Sequence, residues 1–411
     1  MNHFEEYCTK FVQATGNKEG AVSTPITNSA SFAYGDPVTA EGIFEGTVKK
    51  PLYSRMGNPT TAKLESVLAQ MDGGVGAIAT SSGMGAITLA TMSIVNAGDE
   101  IISIGGLFSG TYSFFTETLS RFGVNSHFFD VEELQGIKNA INDNTKIIFL
   151  ESVGNPNMRL PDIKAIANIA NEAGVLLMID NTVTPLCISP LALGADAAIY
   201  STTKIISGNA SALGGCVVYR AVNEGSDKLK TPRYKDLSKI VTKMKKMAFI
   251  AIAKKRALRD FGVSANANAS YQTLLGLETL ALRVPRVTNS VEIIVKALHK
   301  NGIAVNHPSL ESHPHHQRYL NDFSLGCGSL ITIDMGTKEK AFDFLNKTKL
   351  ATLTANIGDS RTLVLHMDST IYRDIPQDAK KFLGITDGLI RVSIGLENPQ
   401  DIINDFIQAR G

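Results

Sequence analysis

The sequence predicts an α/β protein with a mainly parallel seven-stranded sheet and a smaller α+β domain at its C-terminal end. Between residues 77 and 220, short runs that are apolar throughout alternate with helical patterns. Strands covered on both faces are apolar along their whole length, and helices between them supply the crossovers of a parallel sheet. The seven runs span 77–82, 100–106, 125–130, 146–152, 175–181, 197–202 and 214–220.

The helical patterns between and after these runs have recognisable ends. Residues 160–174 are predicted to form a helix that starts near Pro161 and is closed by Gly174, as helix-end preferences favour. Further along the chain, helices are predicted at 271–283 and 287–300, and strands at 329–335 and 389–395. This second group of elements predicts the smaller domain.

The length of 411 residues is too great for one compact core, so two domains and an arm are expected. Residues 1–58 are rich in Thr, Ser, Gly and Pro and show weak periodicity, which predicts an extended arm that packs on another surface. The predicted large domain covers 59–262, and the predicted small domain covers 263–411.

Composition excludes several classes of partner. The net charge is +1, from 40 basic and 39 acidic residues, which predicts neither nucleic acid nor an anionic membrane as the main partner. The four cysteines form no CxxC pair and no disulfide framework, so a reducing cytoplasm is expected. The N-terminal residues contain no apolar signal core, and apolar runs such as 247–253 are far too short to span a membrane.

A basic segment, defined as residues 222–260, contains 12 Lys and Arg residues. Its apolar residues follow helical spacing from Leu237 to Ala251, which predicts an amphipathic helix with most lysines on the solvent side. The alternative is a docking surface for an acidic partner.

The histidines at 313, 315 and 316 surround Pro314 in a predicted loop and lack a partner cluster, so no metal site is expected.

Polar residues follow the predicted strands at the points where the strands end. Ligands of open parallel sheets bind beyond the carboxyl ends of the strands, so these residues should share one crevice. They are Ser82, Gly83, Met84, Phe108, the segment 151–155, Asp180, Ser201, Thr203 and Lys204.

The chemistry of this set indicates a particular cofactor. Backbone N–H groups at the helix that starts near Gly83 favour a phosphate, and the hydroxyls of Ser201 and Thr203 can add donors. Lys204 could form a Schiff base with an aldehyde. Asp180 is costly to bury without a positive partner. A phosphate, an aldehyde and a cationic ring nitrogen together describe pyridoxal 5′-phosphate.

Six motifs make the chain similar to the Cys/Met-metabolism family of pyridoxal-phosphate enzymes, and the match runs in order along essentially the whole sequence. The resemblance implies an aspartate-aminotransferase-like (fold type I) structure and a homotetramer whose active sites are shared across a dimer. The family includes cystathionine γ-synthase and γ-lyase, methionine γ-lyase and O-acetylhomoserine sulfhydrylase. The motifs are YSRMGNPT (53–60), SSGM (81–84), ESVGNP (151–156), IDNT (179–182), YSTTKIISG (200–208) and RVSIGLE (391–397).

The resemblance also implies roles for individual residues. Lys204 would bind the aldehyde and move protons, and Asp180 would keep the pyridine nitrogen protonated. The phosphate would be held by residues at the two loops named above, and by Tyr53 and Arg55 of the neighbouring subunit, with Tyr53 also able to act as an acid. Phe108 would stack on the ring, and Asn155 would contact the ring hydroxyl and the substrate. Arg391 would bind the substrate carboxylate with its guanidinium group, and Asn356 would lie near the substrate. The phosphate set within one chain is Ser82, Gly83, Met84, Ser201 and Thr203.

Departures from the family pattern bear on the reaction. Phe108 stands where most relatives carry tyrosine, and Gly110 stands where methionine γ-lyases carry cysteine. Residues 356–370 resemble the O-acetylhomoserine sulfhydrylase branch, with Asn356 replacing the commoner serine and Arg361 near the position of a glutamate that recognises a distal amino group. These features favour γ-replacement on an O-acyl-L-homoserine by sulfide or another sulfur donor, including a small sulfur-carrier protein. Elimination from methionine or cystathionine is the alternative.

Overall fold

The computed structural model describes residues 3–16, 20–323 and 325–411, and its elements are arranged around two sheets. The strands are β1 Gly76–Thr80, β2 Glu100–Ile104, β3 Asn125–Phe129, β4 Thr145–Glu151, β5 Leu176–Asp180, β6 Ala197–Tyr200, β7 Gly215–Tyr219, β8 Val305–Asn306, β9 Leu330–Asp334, β10 Thr352–Leu353, β11 Leu363–His366 and β12 Leu389–Ser393. The helices are α1 His3–Thr15, α2 Pro37–Glu45, α3 Pro59–Asp72, α4 Gly83–Met92, α5 Ser109–Ser113, α6 Leu134–Ala140, α7 Ile163–Glu172, α8 Ser238–Met244, α9 Ala248–Ala253, α10 Arg259–Phe261, α11 Ala267–Glu278, α12 Leu280–Lys300, α13 His316–Asp322, α14 Lys338–Lys347, α15 Gln377–Leu383 and α16 Pro399–Arg410.

The first seven strands form one sheet in the order β1-β7-β6-β5-β4-β2-β3. Only β7 is antiparallel to its neighbours, and the pairs from β6 across to β3 are parallel. The predicted seven-stranded, mainly parallel sheet is therefore confirmed. Glu151 and Asp180 are paired in register at the carboxyl ends of β4 and β5, which places two acidic residues side by side.

Helices cover both faces of this sheet, as strands without exposed polar positions require. Alternate residues of β4 and β5, such as Phe149 and Met178, pack on the face that carries α4 and α9. The intervening residues, such as Leu150 and Ile179, pack on the opposite face with α7. Because successive side chains of a strand point to opposite faces, the same alternation decides which residues reach the site at the strand ends.

The smaller sheet has the order β10-β11-β12-β9-β8, and α12 connects its core to that of the larger sheet. The first turns of α12 pack with α3 and α11, and its later turns pack with β9 and β12. Helices were predicted at 271–283 and 287–300 with a break near Pro285, but the break lies at Thr279 and Pro285 is inside α12. The domain boundaries at 58/59 and 262/263 stay predictions.

Two other segments differ from the sequence expectation. The extended arm contains helices α1 and α2, and Phe11 of α1 is fully buried in a cluster with α3 and α11. The basic segment is not one amphipathic helix. Lys245 adopts φ +49°, a conformation that non-glycine residues rarely adopt, and it separates α8 from a further short helical turn and α9.

The histidine-rich stretch is partly helical, since α13 starts at His316. The side chain of His315 is buried and accepts the backbone N–H of Leu160 at 2.8 Å. Within residues 3–16, 20–323 and 325–411, no group of three or more His, Cys, Asp or Glu side chains is placed to hold a metal ion. None of the helices in these ranges is long and apolar enough to cross a membrane.

Candidate active site

A pocket of about 250 Å³ lies beyond the carboxyl ends of β4, β5 and β6. It brings together the residues that the sequence placed in one crevice, and it adds Arg391 from β12. Its lining comprises Ser82, Gly83, Met84, Ile87, Phe108, Glu151, Asn155, Asp180, Thr182, Val183, Ser201, Thr203, Lys204, Leu213, Ala355, Ile357 and Arg391.

The N terminus of α4 forms one end of the pocket. The first N–H groups of a helix have no partner inside it, and Ser82 Oγ accepts one of them, from Gly85, at 3.0 Å. The N–H groups of Gly83 and Met84 could therefore hold a phosphate. A Cβ atom at Gly83 would lie 2.6 Å from Ser201 Cβ, so only glycine allows α4 to start this close to Ser201.

Lys204 extends into the pocket from the loop that follows β6, and its Nζ donates to Asn356 Oδ1 at 2.7 Å. Burial, together with a smaller contribution from the positive charge of Arg391, lowers the pKa of Lys204 to about 8. An amine with a lowered pKa is deprotonated more often at neutral pH, which favours attack on an aldehyde. The guanidinium of Arg283 donates to the carbonyls of Ile205 and Ile206, at 2.6 and 2.9 Å, and so supports the loop that carries Lys204.

Glu151, which is buried, and Asp180, which is half-buried, form a pair of carboxyl groups at the base of the pocket. Burial raises the pKa of both, and the charge of Asp180 contributes to raising that of Glu151 well above its usual value. Glu151 Oε1 accepts the N–H of Phe108 at 2.6 Å, and Asp180 Oδ1 accepts the N–H of Thr182 at 3.0 Å. The sequence predicted a positive partner for Asp180, but no cationic side chain of the described residues bonds to it. A cation from a ligand would stabilise the ionised form of Asp180.

Arg391 is buried at the opposite side of the pocket and lies next to two asparagines. Its guanidinium donates to Asn155 Oδ1 at 3.2 Å and to the carbonyl oxygen of Asn356 at 3.4 Å. Burial lowers the pKa of Arg391 to about 10, a value that leaves the group positively charged at neutral pH. The arrangement could bind a substrate carboxylate. Asn356, whose substrate contact the sequence left open, holds Lys204 through its side chain.

The loop that carries Phe108 is fixed by a residue that sequence reasoning missed. The hydroxyl of Tyr372 donates to the carbonyl oxygens of Leu107 and Asn155, at 3.1 and 2.9 Å, and the residue is fully buried. Phe108 lies against Gly110, where a Cβ atom would be 2.7 Å from its ring. Tyr372 lies more than 200 residues from these partners in the sequence, so no local motif indicated the contact.

Three further residues lie outside the pocket lining. Tyr53 is 43% exposed, and Arg55 donates to the carbonyl oxygen of Arg259 at 2.6 Å. Their contact with a neighbouring subunit stays a prediction. Arg361 was expected near the distal end of the substrate, but its guanidinium is paired with Asp359 at 2.8 Å and does not line the pocket. The ion pair joins Arg361 to a residue two positions away, and the expected effect of its charge on substrate choice stays a prediction.

These groups define a site for pyridoxal phosphate. The start of α4 and the hydroxyl-bearing loop after β6 fit a phosphate, Lys204 fits the aldehyde, and Asp180 lacks the cation that a protonated pyridine nitrogen would supply. The donor set thus fits the cofactor by its own chemistry.

Comparison with known proteins places the chain in a family. Residues 8–410 match the model for Cys/Met metabolism PLP-dependent enzymes, and the chain belongs to this family, with pyridoxal phosphate as its cofactor. It is 33% identical over 405 residues to an O-acetyl-L-homoserine sulfhydrylase from Leptospira meyeri, covering 94% of this chain and 92% of the relative. It is 31% identical over 400 residues to an L-methionine gamma-lyase from Fusobacterium nucleatum subsp. polymorphum, covering 95% and 94%.

A solved structure shares the fold. A putative O-acetylhomoserine (thiol)-lyase from Campylobacter jejuni superposes with a TM-score of 0.90 at 31% sequence identity, and the match covers 98% of this chain and 99% of that one. That protein carries N′-pyridoxyl-lysine-5′-monophosphate at its position 205. The predicted aspartate-aminotransferase-like class, the family and the cofactor are therefore confirmed.

Proposed function

We propose that the enzyme catalyses γ-replacement on an O-acyl-L-homoserine, with the O-acetyl ester as its preferred substrate. Sulfide, or another sulfur donor, forms a C–S bond at Cγ. The Cγ–O bond breaks, and the carboxylate leaves with the electron pair. With sulfide and the acetyl ester, the products are L-homocysteine and acetate.

The charges of the pocket lining carry this proposal. Its cations are Lys204 and Arg391, and its acids are the paired Glu151 and Asp180 beneath the ring site. The remaining wall is formed largely by apolar side chains, which suit a short, uncharged ester. Within the described lining there is no further acid for the distal ammonium of cystathionine and no further cation for a succinyl or phosphoryl group. The apolar wall includes Val183, Leu213, Ala355 and Ile357.

Each polar group then has a defined task. Arg391 binds the substrate carboxylate, and Asn155 holds the guanidinium in place. Lys204 Nζ takes the proton from the substrate Cα, while Asn356 directs the amine. Pyridoxal phosphate, when bound, supplies the electron sink that stabilises negative charge on the substrate carbon.

Phe108 bears on the leaving group. A phenylalanine ring can stack but cannot donate a proton. A leaving carboxylate resembles the side chain of glutamate, which has a pKa of about 4.3, so it departs without protonation. A leaving thiolate resembles the side chain of cysteine, which has a pKa of about 8.5, so its departure benefits from an acid. Loss of the tyrosine hydroxyl therefore handicaps elimination from a thioether more than it handicaps replacement on an ester.

Product analysis of the purified enzyme tests the proposal. O-acetyl, O-succinyl and O-phospho homoserine are each combined with sulfide, methanethiol or a protein thiocarboxylate, and methionine and cystathionine are supplied alone. Homocysteine from the O-acetyl ester and sulfide is the expected result. Release of α-ketobutyrate from methionine without homocysteine formation would establish γ-elimination instead, the activity named for several relatives of similar identity.

Substitution Phe108→Tyr is expected to increase α-ketobutyrate release from methionine by at least about tenfold, because the hydroxyl supplies an acid for the leaving thiolate. Homocysteine formation from the ester should change by less than about threefold, since its leaving group needs no proton. Both rates are measured with saturating cofactor. As a control, Phe108→Leu should lower both rates through loss of the ring contact, and an equal increase of both rates in Phe108→Tyr would contradict the leaving-group argument.

The assembly and the sulfur donor belong to the same proposal. We expect a cytoplasmic homotetramer in which Tyr53 and Arg55 complete the site of a neighbouring subunit, since both are exposed in the single chain. Mixing an inactive Lys204→Ala chain with an inactive Tyr53→Ala chain should then restore activity in hybrid dimers. Absence of recovery, with subunit exchange verified, would place Tyr53 outside a shared site.

The exposed Lys243, Lys245 and Lys246 support docking of an acidic sulfur-carrier protein.

A further inference from the structure

Behind the cofactor site, five polar side chains form a continuous hydrogen-bonded chain, here called the rear network. All five are buried, and three contiguous strand ends contribute to it. Its bonds link Ser152 to Thr184 at 2.7 Å, Thr184 to Asn181 at 2.6 Å, Asn181 to Tyr200 at 3.0 Å and Tyr200 to Asp72 at 2.6 Å.

The direction of the bonds is determined along the whole rear network. Thr184 donates its one proton to Asn181 Oδ1, so Ser152 must donate to Thr184. Asn181 Nδ2 donates to the hydroxyl of Tyr200, which in turn donates to Asp72 Oδ2. Every hydrogen bond therefore points toward Asp72 at the end of α3. Buried hydrogen bonds aligned in one direction polarise and strengthen one another.

Three members of the rear network are sequence neighbours of residues in the pocket. Ser152 follows Glu151, Asn181 follows Asp180, and Tyr200 precedes Ser201. Because side chains alternate across a sheet, one residue of each pair lines the pocket while the other belongs to the rear network. On the pocket side, Thr182 makes a second connection, since its N–H bonds to Asp180 and its Oγ1 accepts the N–H of Ser201.

We propose that the rear network is a positioning device, which sets the spacing between Asp180 and Ser201 and so between the two ends of the cofactor. With pyridoxal phosphate bound, Asp180 would face the ring nitrogen and Ser201 would face the phosphate. The cofactor is rigid, so both contacts form well only at one separation of β5 and β6. The inference rests on cofactor binding and is independent of the substrate.

Backbone pairing between β5 and β6 does not by itself fix the distance between Asp180 and Ser201. The register between β5 and β6 ends at Asp180 and Ile199, one residue before Tyr200 and two before Ser201. Beyond that point the described connections between the two strands include the backbone bond from Asn181 to Ile199 and the side-chain bond from Asn181 to Tyr200. Burying these groups costs free energy that apolar packing would not, which is consistent with a positional role.

The affinity of the apoenzyme for pyridoxal phosphate tests the positioning role. Tyr200→Phe removes the hydroxyl that joins Asn181 to Asp72 and should weaken cofactor binding by about tenfold, since the spacing of Asp180 and Ser201 would no longer be fixed through this link. Thr184→Val removes the preceding hydroxyl while keeping the side-chain shape, and it should weaken binding in the same direction. Asp72→Asn keeps an acceptor for Tyr200 and should retain near-normal affinity. Burial raises the pKa of Asp72 to about 7, so a neutral amide is a close substitute for this side chain.

Tyr219→Phe is the matched control. Tyr219 is as deeply buried as Tyr200, but it stacks on Phe249 and its hydroxyl bonds to no member of the rear network. The Tyr219→Phe variant should bind pyridoxal phosphate with the same dissociation constant as the unmodified chain. A merely structural role would lower the thermal midpoint but leave the affinity and absorbance spectrum of the folded enzyme unchanged. Unchanged affinity in Tyr200→Phe or in Thr184→Val, if Tyr200→Phe does not fold, would overturn the proposal.

Discussion

Replacement of Lys204 by Ala is expected to reduce turnover by at least about 10⁴-fold, because it removes both the group that binds the aldehyde and the group that moves the proton. Lys204 is the only lysine in the described pocket lining, so no second amine is placed to replace it. Homocysteine formation and the absorbance of the lysine-bound cofactor are the measurements. Retention of that absorbance in the variant would show that another residue binds the cofactor.

Replacement of Lys204 should stabilise the apoenzyme, although it reduces turnover. The pKa of Lys204 is lowered to about 8 in the folded apoenzyme, against about 10.4 for an unfolded chain. Folding therefore opposes its protonation, and this destabilisation is fully present below pH 8 and disappears as the pH rises toward 10.4. Lys204→Met should stabilise the apoenzyme at pH 7 by at most about 3 kcal/mol, since one pKa unit corresponds to about 1.4 kcal/mol.

Denaturant unfolding at pH 7 and pH 10 checks this expectation. The difference between Lys204→Met and the unmodified apoenzyme should shrink over that range. Lys243→Met is a suitable control, because Lys243 is an exposed lysine outside the pocket. It should change neither turnover nor unfolding. A Lys204→Met chain that is less stable at pH 7 would mean that the bond to Asn356 outweighs the cost of burying the amine.

Local pattern was sufficient to predict the strands and the residues at their ends. Largely apolar runs identified the strands of the larger sheet, because burial on both faces of the central strands leaves no room for alternation, whereas the edge strand β3 is partly exposed. Parallel strands then bring their carboxyl ends to one edge, which is why Ser82, Asp180 and Lys204 could be assigned to one crevice from sequence alone.

Contacts between distant segments account for most of what the sequence did not predict. Tyr372 supports the Phe108 loop from a remote part of the chain, and Asp72 joins the rear network across 128 residues. The ion pair of Arg361 with Asp359, two residues away, was also not predicted from the sequence. Spacing also concealed the interruption at Lys245, because apolar periodicity continues through a residue with positive φ.

Asp180→Asn is expected to lower kcat/KM by about 10²–10³-fold. The ring nitrogen would lose its anionic partner, and loss of one member of a buried charge pair costs about 3–5 kcal/mol. The phosphate contacts remain, so the variant should still bind the cofactor, with altered absorbance. Steady-state kinetics and the spectrum of the reconstituted enzyme are the measurements, and a variant with nearly unchanged kcat/KM would contradict the role of Asp180.

Glu151→Gln provides the matched control, because the two carboxyl groups are paired in register at the ends of neighbouring strands and both line the pocket. Burial and the charge of Asp180 raise the pKa of Glu151 well above its usual value, and an amide at this position preserves the acceptor for Phe108 N–H. We expect less than about a fivefold change in kcat/KM. A loss as large as that of Asp180→Asn would mean that Glu151 carries the charge the cofactor requires.

For Asp180, the stability of the apoenzyme should respond in the opposite direction to activity. In the apoenzyme Asp180 is a buried acid without a cationic partner, so Asp180→Asn should raise the thermal midpoint while it lowers activity. Added pyridoxal phosphate should reverse the order, because the unmodified chain then gains an ion pair that the variant cannot form. Lys204 and Asp180 thus carry opposite charges with the same consequence: each destabilises the empty fold and is compensated when the cofactor binds.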